Sequence, residues 1–240
     1  MTNELWPGGP RFLETDGVFK LGTDSVLLAY FARSSPVKKT IRAADLGCGS
    51  GIISILLAWD NPGLLVDGVE INRKAVNSAL ENVKLCGLEQ QITIVEGDLR
   101  KYRNLLVAGA YDITAANPPY YAAGSGKRSE NTDTAVARGE EMCSLEEVCS
   151  AAGYITRWGG SFLLVHKPER LADVFRSLNT AGFEPKRLRF VQHKCESPPN
   201  LVLIESRRGG NPSLKIEPPL ILSENNGSDS EEVKMIYHRA

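Results

Sequence analysis

The sequence predicts a doubly wound α/β fold: a mostly parallel, seven-stranded sheet with helices on both faces and a terminal antiparallel pair. Three observations carry that expectation. From Ile41 onward, short apolar runs alternate with stretches of helical period, the pattern of strands joined by helical crossovers. A glycine-rich turn, Asp45-Leu46-Gly47-Cys48-Gly49-Ser50-Gly51, directly follows the first run. About seventy residues later, another run ends in Asn117-Pro118-Pro119-Tyr120, at the carboxyl edge where open α/β sheets bind ligands.

The elements follow in order. Gly22 to Ala32 is apolar at Val26, Leu27, Leu28, Tyr30 and Phe31 and predicts a helix, with Thr23 or Asp24 available to cap it. It either covers one sheet edge or also turns its first residues toward a ligand. A strand over Ile41–Leu46 enters the glycine turn, and Ile52–Ala58 continues as a helix until Asn61-Pro62-Gly63 stops it. The second strand, Leu64–Val69, ends at Glu70; Arg73–Leu85 is helical, with apolar residues at Ala75, Val76, Ala79, Leu80 and Val83. The third strand is Ile92–Val95, before Glu96-Gly97-Asp98, and the fourth is Tyr111–Ala116.

Ala122–Asp133 is rich in Gly, Ser, Lys and Asn, has no periodic apolar face, and predicts a loop over the site. Ser144–Trp158 predicts a helix with Ser144 and Glu147 as a capping box, followed by Gly159-Gly160 and a strand over Ser161–His166. Arg170–Thr180 predicts another helix, and Leu188–His193 and Leu201–Glu205 the last two strands. Asn225–Glu232 is polar and acidic, without a packing face, and predicts a solvated turn or partly disordered segment. The expected organisation is an N-terminal extension and helix (1–40), one core domain (41–210) and a C-terminal extension (211–240).

At 240 residues and 42% hydrophobic side chains, the chain can bury one substantial core. Its 28 basic and 29 acidic residues nearly cancel, so a nucleic-acid contact would need a local patch rather than an overall field. The five cysteines, Cys48, Cys86, Cys143, Cys149 and Cys195, lack the short paired spacing of a zinc site or disulfide framework, and His166 and His193 read as strand residues. No metal is expected. The sequence shows no signal-peptide pattern and no long apolar span, so the expected location is the cytoplasm, with no membrane partner.

The glycine turn lets the backbone approach a ligand closely. Its third glycine comes one place too early for a G-x-G-x-x-G dinucleotide turn, and Asp45 just before it would repel phosphate while suiting a cationic amino-acid group, directly or through water. S-adenosylmethionine carries such a group and no phosphate. Glu70 is placed to accept from two ribose hydroxyls, and Asp98 from an adenine amine. Each acid alone also suits a strand end or helix cap; three at successive strand ends favour the cofactor.

Asn117-Pro118-Pro119-Tyr120 supplies what a conjugated nitrogen needs to become nucleophilic. The lone pair of such a nitrogen is spread into a π system. Asn117 Oδ1 and the Pro118 carbonyl can accept its two hydrogens and localise the lone pair, the prolines fixing the chain. Tyr120 can stack on the acceptor; Tyr121 either stacks too or packs beneath the loop.

With these motifs together, the chain resembles the class I S-adenosylmethionine-dependent methyltransferases, a Rossmann-like fold, and within them the bacterial tRNA1(Val) (adenine-37-N6)-methyltransferase family. The resemblance rests on Lys20–Leu28, Asp45–Gly51, Val69–Asn72, Asn117–Tyr121, Ala137-Arg138 with Glu140, and His166–Arg170. It implies N6-methylation of adenine in a tRNA anticodon loop, with the Gly22-Thr23-Asp24 turn at the methionine end of the cofactor. The candidate catalytic residues are then Asn117, Pro118, Pro119 and Tyr120. The candidate cofactor set is Thr23, Asp45, Gly47, Gly49, Gly51, Glu70, Ile71, Asp98, Leu99 and Asn117. Gly139 stands where relatives often have histidine.

Arg138 either binds phosphate or pairs with Glu140 or Glu141. Lys127, Arg128, Lys38, Lys39 and Arg42 are either RNA contacts or solvated charges. A monomer is the expected state. The competing readings are a protein glutamine N5-methyltransferase, which uses the same tetrapeptide but usually carries a helical domain ahead of the core, and a cofactor-binding RNA-recognition module without activity. A DNA adenine methyltransferase is disfavoured because no separate region for flipping a duplex base is visible.

Overall fold

The structure, a computed structural model, describes residues 2–13, 22–35, 42–120 and 143–239. The 122–133 loop, Lys20, Leu21, Lys38, Lys39, Tyr121, Ala137, Arg138, Gly139, Glu140 and Glu141 lie outside the described residues. The parallel strands are β3 (Arg42–Leu46), β4 (Leu65–Glu70), β5 (Ile92–Glu96), β6 (Tyr111–Ala116) and β7 (Thr156–His166). Beyond β7 come β8 (Phe183–Gln192) and β9 (Pro199–Arg208), with β9 antiparallel to both β7 and β8. An eighth strand, β10 (Lys215–Ile221), runs parallel to β8, giving the order β10-β8-β9-β7-β6-β3-β4-β5. Strands β1 (Thr2–Glu4) and β2 (Arg11–Leu13) form a separate antiparallel hairpin.

The helices are α1 (Thr23–Arg33), α2 (Ile52–Trp59), α3 (Arg73–Leu85), α4 (Tyr102–Leu105), α5 (Leu145–Ile155), α6 (Leu171–Thr180) and α7 (Glu231–Ile236). Strand residues alternate between two cores, because successive side chains leave a strand on opposite faces. Leu163, Val165 and Leu203 join α1, α2 and α7 through Leu27, Ile55 and Ile236. Phe162, Leu164 and Ile204 join α5 and α6 through Cys149, Ile155 and Leu178. Helix α2 is buried from Ile52 through Ala58, which explains an apolar run with no polar face.

Several expectations change. The sheet has eight strands rather than seven, and the segment expected to be solvated is an exposed turn over 225–228 but then leads into a capped, packed helix. Ser230 caps α7 through a bond to Val233 N, Val233 and Ile236 are buried, and Glu232 takes both arms of the Arg189 guanidinium at 2.6 and 2.7 Å. The acidic residues of 225–232 therefore serve ion pairs, Glu232 with Arg189 and Asp229 with Arg239, around a serine cap. Strand β10 carries Pro218-Pro219 on the outer edge, where missing N–H donors discourage further pairing.

The helix expected over Ser144–Trp158 has the predicted capping box but ends at Ile155, and Gly159-Gly160 lies inside β7. Thr156 turns extended there, its buried hydroxyl 2.7 Å from that of Thr114. A Cβ on Gly160 would lie 2.9 Å from the Asp112 carbonyl, so only glycine passes this irregularity in the β6–β7 register. Strands β8 and β9 extend well beyond the expected Leu188–His193 and Leu201–Glu205, because their charged residues find partners within the sheet.

Arg187 is the clearest case. It pairs with Glu205 and with Glu217 Oε1 at 2.9 Å, donates to Ser34 Oγ at 2.7 Å, and lies over the Phe31 ring. Glu205 is only 1% exposed and also accepts from Ser35 and Ser161. Replacing Arg187 by Ala strands that carboxylate and should cost about 3–5 kcal/mol. Urea unfolding measures it; a loss below about 1 kcal/mol would show that the pair is dispensable.

Candidate active site

The turn after β3 is made by three glycines with positive φ, at 74° for Gly47, 54° for Gly49 and 83° for Gly51. Gly51 serves as N-cap of α2, and a Cβ there would press on Ala79 at 3.3 Å. At Gly47 and Gly49 a Cβ would meet nothing within 4 Å, so space beside the turn is open.

Four of the turn's amides are already committed. Gly47 N and Cys48 N donate to the Val69 carbonyl at 2.9 and 3.0 Å, and Gly51 N donates to the Cys48 carbonyl at 2.8 Å. Gly49 N donates to Glu70 Oε2 at 3.0 Å, while Glu70 Oε1 accepts from Asn72 N at 2.8 Å. A dinucleotide turn offers free amides to a pyrophosphate; this one presents a carboxylate in their place.

Asp45 is wholly buried, so it has no direct exposure at the turn surface. Its Oδ2 accepts from Ser54 N at 3.0 Å and Ser54 Oγ at 2.7 Å, and Oδ1 has no hydrogen-bond partner among the described residues. Burial, opposed by the Ser54 hydrogen bonds and helped by the nearby Glu70 charge, raises its pKa from 3.8 to about 7.

At the end of β5, Asp98 caps the short 3₁₀ turn Leu99–Lys101, accepting from Arg100 N at 2.9 Å. The Arg100 side chain also grips it, at 2.9 and 3.0 Å, and these bonds hold the carboxyl below its usual range. Ile71 is 48% exposed beside Glu70, whereas the Leu99 side chain packs into the core. Of that predicted pair, only Ile71 offers an apolar surface to a ligand.

Strand β6 delivers Asn117 opposite the first turn of α1. Asn117 Nδ2 lies 3.1 Å from Ser25 Oγ, Asn117 Oδ1 lies 3.1 Å from the Tyr120 hydroxyl, and that hydroxyl donates to Asp24 Oδ2. The N-cap of α1 is Gly22, without a side-chain bond, so neither Thr23 nor Asp24 caps the helix as expected. Asp24 reaches across to Tyr120 instead. Thr23 is exposed and shares a hydrogen bond with Tyr237, just past α7.

Pro118 is buried and Pro119 exposed. Tyr120 is partly buried, meets His166 edge-on at 5.5 Å, and has Lys167 Nζ 5.1 Å from its ring centroid. Burial lowers the His166 pKa to about 4, keeping the ring neutral, and its Nδ1 accepts from Lys167 N at 2.8 Å. Sequence reasoning missed Ser25 and Tyr237 as neighbours of the site. No local pattern links them to their partners, and only the shared segment Lys20–Leu28 hinted at Ser25.

Residues 11–144 match the family described as Methyltransferase small domain. A Bacteroides fragilis protein named tRNA1(Val) (adenine(37)-N6)-methyltransferase is 30% identical over 186 residues, covering 77% of this chain and 76% of that protein. A protein of the same name from Tolumonas auensis is 31% identical over 215 residues, covering 89% and 80%. This chain belongs to the tRNA1(Val) (adenine(37)-N6)-methyltransferase family. The solved structure of a protein described as a predicted O-methyltransferase, from Agrobacterium tumefaciens, shares the fold. Its TM-score is 0.72 at 18% identity, over 90% of this chain and 96% of that one. Asp45–Gly51, Glu70 and Asn117–Tyr120 all fall at carboxyl ends of adjacent strands.

The buried acid at the turn has a measurable signature. Between the ordinary 3.8 and about 7, folded Asp45 holds a proton that the unfolded chain has lost, so its contribution makes stability fall as pH rises through that window. Asp45→Asn should remove this slope, so the variant gains on the wild type at pH 8 relative to pH 4, by about 2–4 °C in Tm per kcal/mol. Thermal unfolding at both pH values tests it; a constant difference would mean that Asp45 is not held protonated.

Proposed function

We propose that this chain is an S-adenosylmethionine-dependent methyltransferase acting on N6 of adenine 37 in the anticodon loop of tRNA1(Val). The observation that carries this reading is the Asn117 amide, held at the end of β6 by Ser25 on one side with its oxygen beside Tyr120.

The residues of the turn fit the cofactor. Four committed amides disfavour phosphate, the Glu70 carboxylate favours a cation, and Asp45 Oδ1, without a partner among the described residues, is open to a bridging water. Glu70 would hold the ribose hydroxyls, Asp98 the adenine amine and Ile71 the adenine face. When bound, S-adenosylmethionine supplies an electrophilic methyl group.

The chain's own residues prepare the acceptor. Asn117 Oδ1 and the Pro118 carbonyl accept the two N6 hydrogens, which draws the nitrogen lone pair out of conjugation and aims it; positioning supplies most of the rate. Tyr120 and Lys167 border the target base. The neutral, engaged His166 is not needed as a base, because a methylated N6 is strongly acidic. An anticodon-loop adenine is unpaired, so no base need be pulled from a duplex. A tRNA substrate also supports a cytoplasmic location.

Transfer of labelled methyl groups to tRNA lacking this modification, followed by nucleoside mass spectrometry, tests the reading. The wild type should form N6-methyladenosine, and Asn117→Ala should lower kcat at least about 100-fold with cofactor affinity nearly unchanged. Labelling of a protein glutamine with no transfer to tRNA would replace this reading with the amide-methylating one.

A further inference from the structure

The proton inventory around Tyr120 constrains how the acceptor end works. The phenol has one proton to donate. Its oxygen has two acceptors nearby, Asp24 Oδ2 and Asn117 Oδ1, the carboxylate being the closer. A charged carboxylate is also the stronger acceptor. The proton therefore lies toward Asp24, which leaves at most a minor share of it for Asn117 Oδ1 at 3.1 Å. With Ser25 on Nδ2 and no donor other than Tyr120 near Oδ1 among the described residues, Asn117 Oδ1 keeps accepting capacity, 3.1 Å from a Tyr120 oxygen that is itself an acceptor.

We infer that Asp24 is a positioning residue: it draws the Tyr120 proton to itself and so keeps Asn117 Oδ1 open for an N–H of the target amine. This deepens the function proposed above and rests on it. Two acceptor oxygens side by side form a poor pair until a donor enters, so a target with hydrogens to donate is favoured over a carbonyl, and an exocyclic amine, with two, over a hydroxyl, with one. The segment resemblance assigned the Gly22-Thr23-Asp24 turn to the methionine end of the cofactor. In the structure Asp24 is engaged by Tyr120, and Thr23 by Tyr237.

The two assignments make different predictions for Asp24→Asn, which keeps the size of the side chain but not its charge. If Asp24 acts through Tyr120, kcat on tRNA falls about 10- to 100-fold while KM for S-adenosylmethionine and Tm barely move. In a Tyr120→Phe background the same substitution should then cost less than about twofold, the non-additivity expected of residues acting as a unit. Additive losses, or a loss carried by KM for the cofactor, would overturn the inference and restore the cofactor-end assignment.

A second readout needs no turnover. The chain has seven tyrosines, so the Tyr120 resonance in carbon-13 Cζ-labelled protein can be assigned as the one missing in Tyr120→Phe. Asp24→Asn should move it upfield, since donation to a charged carboxylate is lost. An unmoved resonance would show that the proton does not lie toward Asp24. If the wild type methylates no tRNA adenine, the functional reading fails, and this comparison still decides the placement of the proton.

Discussion

Two hydrogen bonds, spanning 92 and 96 residues of chain, join the first turn of α1 to the end of β6, and the geometry of the acceptor end depends on them. An asparagine amide at a strand end has no intrinsic reason to face one way. Ser25 gives it one. Helix α1 is in turn fixed at its far end, where Ser34 and Ser35 meet Arg187 and Glu205, and beside its first turn, where Thr23 meets Tyr237. The helix thus acts as a strut between the site and the charged cluster on β8 and β9. The C-terminal segment earns its place by bracing the strut rather than by entering the site.

The other end of the site is governed by charge. Glu70 brings a carboxylate to a turn whose glycines admit a ligand closely, and it takes the Gly49 amide that a phosphate could otherwise use. An anionic ligand meets repulsion there and a cationic one meets attraction. Burying Asp45 with one oxygen unpartnered is unfavourable for folding. Such a group is understandable at a site where a ligand or a bridging water completes the set.

Much of this was legible in the sequence, and the reasons differ by element. The strand ends at Leu46, Glu70, Glu96 and Ala116 were readable because buried parallel strands are short apolar runs closed by polar or glycine residues. The Ser144–Glu147 capping box was readable because both partners lie within one turn. Strand β10 and helix α7 were not, because their polar residues are satisfied from afar: Glu217 by Arg187 and Glu232 by Arg189. The same holds at the site. Asn117 and Tyr120 announced themselves as a local motif, whereas Asp24 read as a helix cap or a cofactor-end residue and Ser25 carried no reading of its own. Their use is visible only once the fold brings α1 against β6.

The most direct measurement is a structure of this chain with a cofactor analogue and an anticodon stem-loop carrying adenine 37. The account predicts the adenine N6 at hydrogen-bond distance, about 2.7–3.2 Å, from Asn117 Oδ1, with Ser25 still on Nδ2 and Tyr120 still on Asp24. An adenine bound elsewhere, or an Asn117 amide turned from Ser25 with Asp24 facing the cofactor, would contradict it.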